Sequence, residues 1–185
     1  MSGKTAFIGH REVFCREEVR ARVDAAITEE LEKGCRTFMM GTHGQFDELA
    51  LSACREARRE HPEMKIIVVF TSFRLLEKRK GFYEDVERLT YETEEAYFKR
   101  RIILSNRKMI DECDKLICYV NTEKYRSGAK TAIRYAEKMG LDVVDLYRKE
   151  DSPFYGMSEE EKRASWEKFL EQTAKDAKHF HRKRR

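Results

Sequence analysis

Several features that would place the chain outside the ordinary globular proteins are missing from its 185 residues. No apolar run reaches the roughly 18 residues that a membrane-spanning helix needs. No internal repeat or low-complexity stretch is present. The start, Met1-Ser2-Gly3-Lys4, leads into a short apolar run and lacks the pattern of a secretion signal. We therefore expect a cytoplasmic protein that has no membrane partner.

Paired cysteines are also missing. The five cysteines are an odd number, and no two of them form a Cys-x-x-Cys pair. Cys35 and Cys118 lie inside apolar runs, where a free thiol behaves as a small hydrophobic side chain. This usage predicts a reducing compartment and no metal site. The cysteines are predicted to be buried side chains of the core, and the alternative is that one of them is reactive.

The positive charge of the chain is concentrated at one end. The formal net charge is +4, and the segment Lys178–Arg185 alone carries +5, which leaves −1 for the rest. A nucleic-acid-binding domain more often spreads its basic residues over a folded face. The tail predicts at most a weak, non-specific contact with nucleic acid or another acidic partner, and a solvated chain end is the alternative.

Short apolar runs alternate with patterns of helical spacing along most of the chain. The predicted strands are Thr5–Gly9, Arg36–Gly41, Lys65–Thr71, Lys115–Asn121 and Leu141–Leu146. The predicted helices contain Val19 to Leu31, Phe46 to Glu60, Ala96 to Cys113 and Ser127 to Met139. Another helix begins near Ser158, where Ser158 and Glu161 fit a capping box. Residues 72–95 show only a weak pattern and are predicted to form a variable excursion.

This alternation predicts an α/β fold. We expect a Rossmann-like, doubly wound parallel sheet of about five strands, with helices on both faces and a C-terminal helix. If the strand order is 3-2-1-4-5, the first and fourth strands flank the point where the order reverses. Residues 1–150 would form the Rossmann-like domain, and residues 151–185 the C-terminal helix and the basic tail.

Polar and glycine-rich clusters follow three of the predicted strands. Because ligands of such sheets bind at the carboxyl ends of the strands, these clusters predict one binding site. The candidate ligand-binding residues are Gly9, His10, Arg11, Gly41, Thr42, Gly44, Asp47, Asn121, Ser127, Gly128 and Ala129.

The chemistry of these residues suits a nucleotide or a nucleotide-derived small molecule. Glycines and a helix start at Ser127-Gly128-Ala129 let backbone N–H groups approach an anion. Arg11 can form a bidentate contact with a phosphate, and Asp47 can accept from ribose hydroxyls. Each has a structural alternative, since Ser127 and Asp47 can be plain helix caps and Arg11 a surface ion pair. His10 is predicted to bind rather than to catalyse.

The same residues resemble the SLOG superfamily, which unites the SMF/DprA and LOG proteins. Gly9-His10-Arg11 looks like its "GHR" signature, and Gly41–Asp47 is similar to the "G-x-x-G-F-D" segment of the stand-alone, YpsA-like bacterial and phage branch. Asn106–Ile110 resembles its "R-N-x-x-M-V" helix, and Ser127–Ala129 with Tyr135-Ala136 its "S-G-G/A…Y-A" segment. The matches run in order over residues 4–147. The resemblance implies a Rossmann-like fold and a nucleotide pocket.

The resemblance also suggests three candidate functions, which the residues support to different degrees. The LOG proteins, which the chain resembles in fold, cleave the N-glycosidic bond of nucleoside 5′-monophosphates with a glutamate of a "P-G-G-x-G-T-x-x-E" segment. If Thr131 matches that threonine, Arg134 stands at the glutamate position. Binding or sensing therefore ranks ahead of hydrolysis, for which Asp47 and Glu48 are the catalytic candidates. DprA-like nucleic-acid binding ranks third. No cofactor beyond a nucleotide-like ligand is expected, and related folds suggest a homodimer.

Overall fold

The fold is taken from a computed structural model that describes residues 3–91, 93, 95–121, 127–165 and 167–168. The side chains of Phe98 and Lys99 are also outside the description. The predicted nucleic-acid contact through the tail Lys178–Arg185 falls outside the described residues. The chain divides into two compact units, Met1–Arg148 and Lys149–Arg185.

The first unit is built on one parallel sheet. Its strands are β1 (Lys4–Gly9), β2 (Thr37–Met40), β3 (Lys65–Phe70), β4 (Glu87–Thr90), β5 (Lys115–Tyr119) and β6 (Asp142–Asp145). Their order is β4-β3-β2-β1-β5-β6, and every neighbouring pair is parallel. The predicted Rossmann-like α/β fold is confirmed, and its five predicted strands lie in the order 3-2-1-4-5. The sheet has six strands instead of about five, because β4 adds an edge.

Helices cover both faces of this sheet. Helices α1 (Arg16–Glu32) and α2 (Gln45–Glu60) pack on the face that carries Phe7, Phe38 and Val68. Helices α4 (Phe98–Asp111) and α5 (Gly128–Lys138) pack on the opposite face, and α3 (Phe73–Arg79) follows β3. The winding therefore changes face between β1 and β5, which creates a crevice between their carboxyl ends.

The periodicity of α1 explains why the helix lies where it does. Val19, Val23, Ile27 and Leu31 recur every four residues and are all buried against the sheet. The helix ends before Gly34, whose φ of +87° is a conformation that glycine adopts without strain. Strand β3 is apolar from Ile66 to Phe70 and buried throughout, as expected of a strand covered on both faces.

The predicted excursion over residues 72–95 is wrong, because much of it is ordered secondary structure. It contains α3, a 3₁₀ turn at Lys80–Tyr83 and the edge strand β4. Leu75, Leu76 and Tyr83 pack on the core, which holds the helix and the turn in place. Strand β4 has only one strongly apolar residue, Leu89, so its sequence does not signal a strand. Pairing with β3, from Ile67↔Glu87 to Phe70↔Thr90, creates it.

The second unit contains the predicted start of the C-terminal helix. Residues 159–165 are helical. The Ser158 N–H donates to Glu161 Oε2 at 2.7 Å, and the Glu161 N–H donates to Ser158 Oγ at 3.2 Å. These reciprocal bonds confirm the capping box.

None of the helices in the described part of the chain has the length and apolar character needed to cross a membrane.

The amino end of α2 packs directly on the carboxyl end of β1. A Cβ atom added to Gly9 would lie 2.4 Å from Phe46 Cδ1 and 2.7 Å from Phe46 Cβ. The Phe46 ring is fully buried and stacks on the ring of Tyr119 at a centroid distance of 5.7 Å. Glycine is therefore required here by packing, since any larger side chain would displace a buried ring.

We predict that Gly9→Ala lowers the free energy of unfolding by about 1 to 3 kcal/mol, because the added methyl group overpacks the core. Urea unfolding of the full chain measures this. The control is Gly81→Ala, where an added Cβ meets nothing within 4 Å. In a double variant with Phe46→Leu, the two losses should be less than additive. A Gly9→Ala protein as stable as the wild type would contradict the tight packing of α2 on β1.

Candidate functional site

A cleft of about 410 Å³ lies where β1 and β2 end. The end of β1 and the turn after it form its floor, and the starts of α2 and α5 and the side of α4 form its walls. The volume is within the range of small-molecule sites. The lining residues are Phe7, Ile8, Gly9, His10, Arg11, Glu12, Gly41, His43, Asp47, Ile102, Asn106, Ser127, Gly128 and Ala129.

Main-chain contacts hold the turn after β1 against the start of α2. A Cβ atom on Gly44 would lie 2.9 Å from both Arg11 Cα and the His10 carbonyl oxygen, so the main chain at Gly44 touches the main chain of the turn. The Gln45 N–H donates to the Arg11 carbonyl at 2.9 Å. In return, Gln45 Oε1 accepts from the Val13 N–H at 2.9 Å. The turn that carries Arg11 is therefore anchored at its backbone, while the Arg11 side chain is exposed at the cleft.

Asp47 is the buried carboxyl group of the cleft. Asp47 lies in the first turn of α2, and its Oδ2 accepts from the N–H of His43, which precedes the helix, at 2.8 Å. Burial raises the pKa of Asp47 to about 6, although the backbone N–H groups of His43 and Gly44 oppose this shift by stabilising the carboxylate. The side chain is therefore mostly ionised at neutral pH, at a cost to the fold.

His43 is a histidine of the cleft that the predicted site did not include. Its Nε2 lies 3.1 Å from the Thr71 hydroxyl oxygen, which connects the ends of β2 and β3. Burial lowers the pKa of His43, and the positive charges of Arg11 and Arg79 lower it further. The imidazole is consequently neutral at pH 7, so it can donate or accept a hydrogen bond with a ligand without adding charge.

The start of α5 forms the opposite wall. Ser127 is the N-cap, and its Oγ accepts from the Lys130 N–H at 3.0 Å. Ser127 therefore does act as a helix cap, which was its structural alternative. The first N–H groups of a helix have no partner within it, and Gly128 and Ala129, which carry two of these groups, line the cleft. Among the described residues, a Cβ on Gly128 would meet no atom within 4 Å.

Eight of the predicted ligand-binding residues line the cleft: Gly9, His10, Arg11, Gly41, Asp47, Ser127, Gly128 and Ala129. Thr42, Gly44 and Asn121 do not line it. Gly44 supports the turn from behind, and the Asn121 N–H bonds to His10. Thr42 Oγ1 is buried and has no hydrogen-bond partner among the described residues. Glu48 is exposed and lines a separate groove beside α1, so only Asp47 of the two catalytic candidates reaches the cleft.

Sequence reasoning missed the wall that α4 provides. Ile102 and Asn106 of α4 line the cleft, as does Glu12 in the turn after β1. Ile102 and Asn106 are four residues apart, so the sequence predicts that they share one face of the helix. The same spacing fits any packed helix face, so it does not indicate which face meets the cleft.

The comparisons with known proteins add no identity. No model of a known protein family matches the chain, and no curated protein matches it either. Within the described residues, no cluster of three or more His, Cys, Asp or Glu side chains could hold a metal ion. The fold and the residues of the cleft therefore have to indicate the function.

We predict that Asp47→Asn becomes progressively more stable than the wild type as the pH rises. The pKa of Asp47 is near 4 when unfolded and about 6 when folded, so the folded state holds its proton more tightly. The wild type therefore loses stability as the pH rises from about 4 to about 6, whereas the asparagine variant has no proton to lose. The difference should change by about 2 to 3 kcal/mol over this window and stay constant above it.

Urea unfolding between pH 4 and pH 7.5 measures this difference. Glu84→Gln, at an exposed carboxylate in another part of the chain, serves as the control and should show no such trend. A wild type that gains stability over Asp47→Asn with rising pH would mean that its carboxylate is stabilised in the fold.

Proposed function

We propose that the cleft binds a nucleotide or a nucleotide-derived small molecule, as a sensor or regulatory module. The observation that carries the proposal is Gly128, which lies at the first position of α5 and lines the cleft. Its φ is not positive, and among the described residues no atom lies within 4 Å of where its Cβ would be. Neither backbone conformation nor packing requires glycine there, although glycine is a poor helix residue. Close approach of a ligand gives a reason for it.

The start of α5 suits the phosphate group of such a ligand. The N–H groups of Gly128 and Ala129 and the positive end of the helix dipole favour an anion at this wall. Arg11 lines the same cleft and is exposed, so its guanidinium is available for a bidentate contact with phosphate oxygens. Together they supply a positive charge and main-chain donors to one anionic group.

The start of α2 suits the sugar or base. Asp47 is an acceptor for ribose hydroxyls, and the neutral His43 and the amide of Asn106 offer further hydrogen bonds. Ile102 provides an apolar contact from α4. An anion site and a polar, partly apolar wall in one cleft match the parts of a nucleotide, and the SLOG resemblance implies the same ligand class.

A thermal-shift screen tests the proposal. The full chain is heated with mononucleotides, NAD, ADP-ribose and cyclic nucleotides. A ligand present at about a hundred times its dissociation constant stabilises the fold by about 2.7 kcal/mol, which is readily observed. Stabilisation by one of these compounds supports the proposal. If none of them shifts the unfolding transition, the nucleotide proposal fails.

We predict that Gly128→Asp weakens binding of the identified ligand by at least about tenfold without destabilising the fold. An acidic residue at a helix start is favourable for the helix but repels an anion bound there. Gly128→Asn is the matched control, because it adds the same bulk without charge and should lose less affinity. Isothermal titration calorimetry and urea unfolding measure the two effects. Unchanged affinity in both Gly128→Asp and Arg11→Ala would place the anion elsewhere.

A second candidate function is hydrolysis of the N-glycosidic bond of a nucleoside 5′-monophosphate. The observation in its favour is the buried carboxyl of Asp47, which lines the cleft and is mostly ionised at neutral pH. A carboxylate can bind the ribose and stabilise the oxocarbenium-like charge of the transition state. If Thr131 matches the threonine of the LOG signature, Arg134 stands at the glutamate position, and this function therefore ranks below binding.

Release of free base from a panel of nucleoside monophosphates at high protein concentration tests the second candidate. We predict that any such release is lost in Asp47→Asn and kept in Glu48→Gln, because Asp47 lines the cleft and Glu48 does not. Liquid chromatography of the products measures the base. No release by the wild type would reject hydrolysis.

A further inference from the structure

The His10 side chain makes an unusual hydrogen bond at the point where β1 and β5 separate. Gly9↔Tyr119 is the last pair of their register, and the His10 N–H then donates to the Tyr119 carbonyl at 3.1 Å. In a parallel ladder the next bond would run from the Asn121 N–H to the His10 carbonyl. The Asn121 N–H instead donates to Nε2 of the His10 ring at 2.8 Å.

The path of the chain after β1 explains this substitution. The His10 carbonyl is directed at α2, because a Cβ on Gly44 would lie 2.9 Å from its oxygen. The next carbonyl, that of Arg11, accepts from the Gln45 N–H. The main chain of β1 therefore turns towards the start of α2, and the Asn121 N–H after β5 has no main-chain acceptor on β1. The imidazole supplies that acceptor in place of the main chain.

We propose that His10 is a positioning residue that holds the carboxyl ends of β1 and β5 together where the cleft opens between them. Accepting through Nε2 requires the neutral ring to carry its proton on Nδ1. The ring is buried and meets the Tyr119 ring edge-on at 6.4 Å and 85°, which orients it. Nε2 is thereby committed to the main chain, so it does not exchange a proton with a ligand.

The role of His10 extends the proposed function, and only the expected effect on affinity rests on that function. The strand end held by His10 leads into the turn that carries Arg11, and Asn121 follows β5 on the way to α5. The turn that carries Arg11 and the segment that leads to α5 therefore both start at this hydrogen bond. Loss of the bond should change the separation of Arg11 from the start of α5 and weaken binding.

Two substitutions separate this role from its alternatives. His10→Gln keeps an acceptor, because its amide oxygen can take the place of Nε2. His10→Phe keeps a ring of similar size but has no acceptor, so the Asn121 N–H is left without its partner. If His10 served only for packing, phenylalanine would be the better replacement. If it transferred protons, neither variant would replace it.

Amide hydrogen exchange of Asn121 in the full chain, followed by NMR, is the deciding experiment. We expect slow exchange in the wild type and in His10→Gln, and exchange faster by at least about tenfold in His10→Phe. Binding of adenosine 5′-monophosphate, used as the probe, should weaken about tenfold in His10→Phe and much less in His10→Gln. Protection that survives in His10→Phe, or is lost in His10→Gln, would overturn the proposal.

A measurement on the wild type alone covers the case in which His10→Phe does not fold. The ¹⁵N chemical shifts of the His10 ring should show an unprotonated Nε2 and a protonated Nδ1, and a proton on Nε2 would overturn the proposal. If the exchange pattern and the shifts agree with the proposal while the wild type binds no nucleotide in the thermal-shift screen, His10 has its positioning role and the nucleotide function is wrong.

Discussion

The close approach of α2 to the end of β1 is the contact on which the candidate site depends. Gly9 leaves room for the buried ring of Phe46, and Gly44 lets the loop after β2 touch the main chain at His10 and Arg11. A side chain at either glycine would push the helix away from the strand. Because the helix is this close, Arg11, Asp47 and His43 reach a single cleft.

The same approach turns the His10 carbonyl towards α2, so one main-chain hydrogen bond that would otherwise join β1 to β5 is not made. The Asn121 N–H donates to the His10 side chain instead. The sheet can therefore open between its central strands without leaving a buried N–H group unpaired, which would be costly. The crevice of this doubly wound sheet is a consequence of packing, and it is the place where we propose that a ligand binds.

The ionised carboxylate of Asp47 is held in the cleft at a cost to stability. Burial disfavours the ionised form of Asp47 and the protonated form of His43. By contrast, Lys115 at the other end of the sheet is paired with both Glu30 and Asp142 at 2.9 Å. In the described part of the chain no cation forms an ion pair with Asp47. Buried groups with a perturbed pKa, such as Asp47, are concentrated at functional sites of proteins.

Much of the fold could be predicted because its signals are local. The apolar run of β3, the four-residue spacing in α1 and the reciprocal cap of Ser158 and Glu161 each need only neighbouring residues. The edge strand β4 could not be predicted, because its stability comes from pairing with β3 and not from its own residues. The predicted strand ends were sufficient to locate most of the site, since parallel strands end at a common edge.

The amino-acid sequence by itself determined the alternation of strands and helices and the clusters at the strand ends. Only the tertiary structure decided which side chains of those clusters meet. Asp47 and Glu48 are adjacent on α2, yet successive residues point about 100° apart on a helix, so one lines the cleft and the other faces a different groove. Ile102 and Asn106 join the site for the same reason, because the rotation of α4 about its axis is set by packing against the sheet.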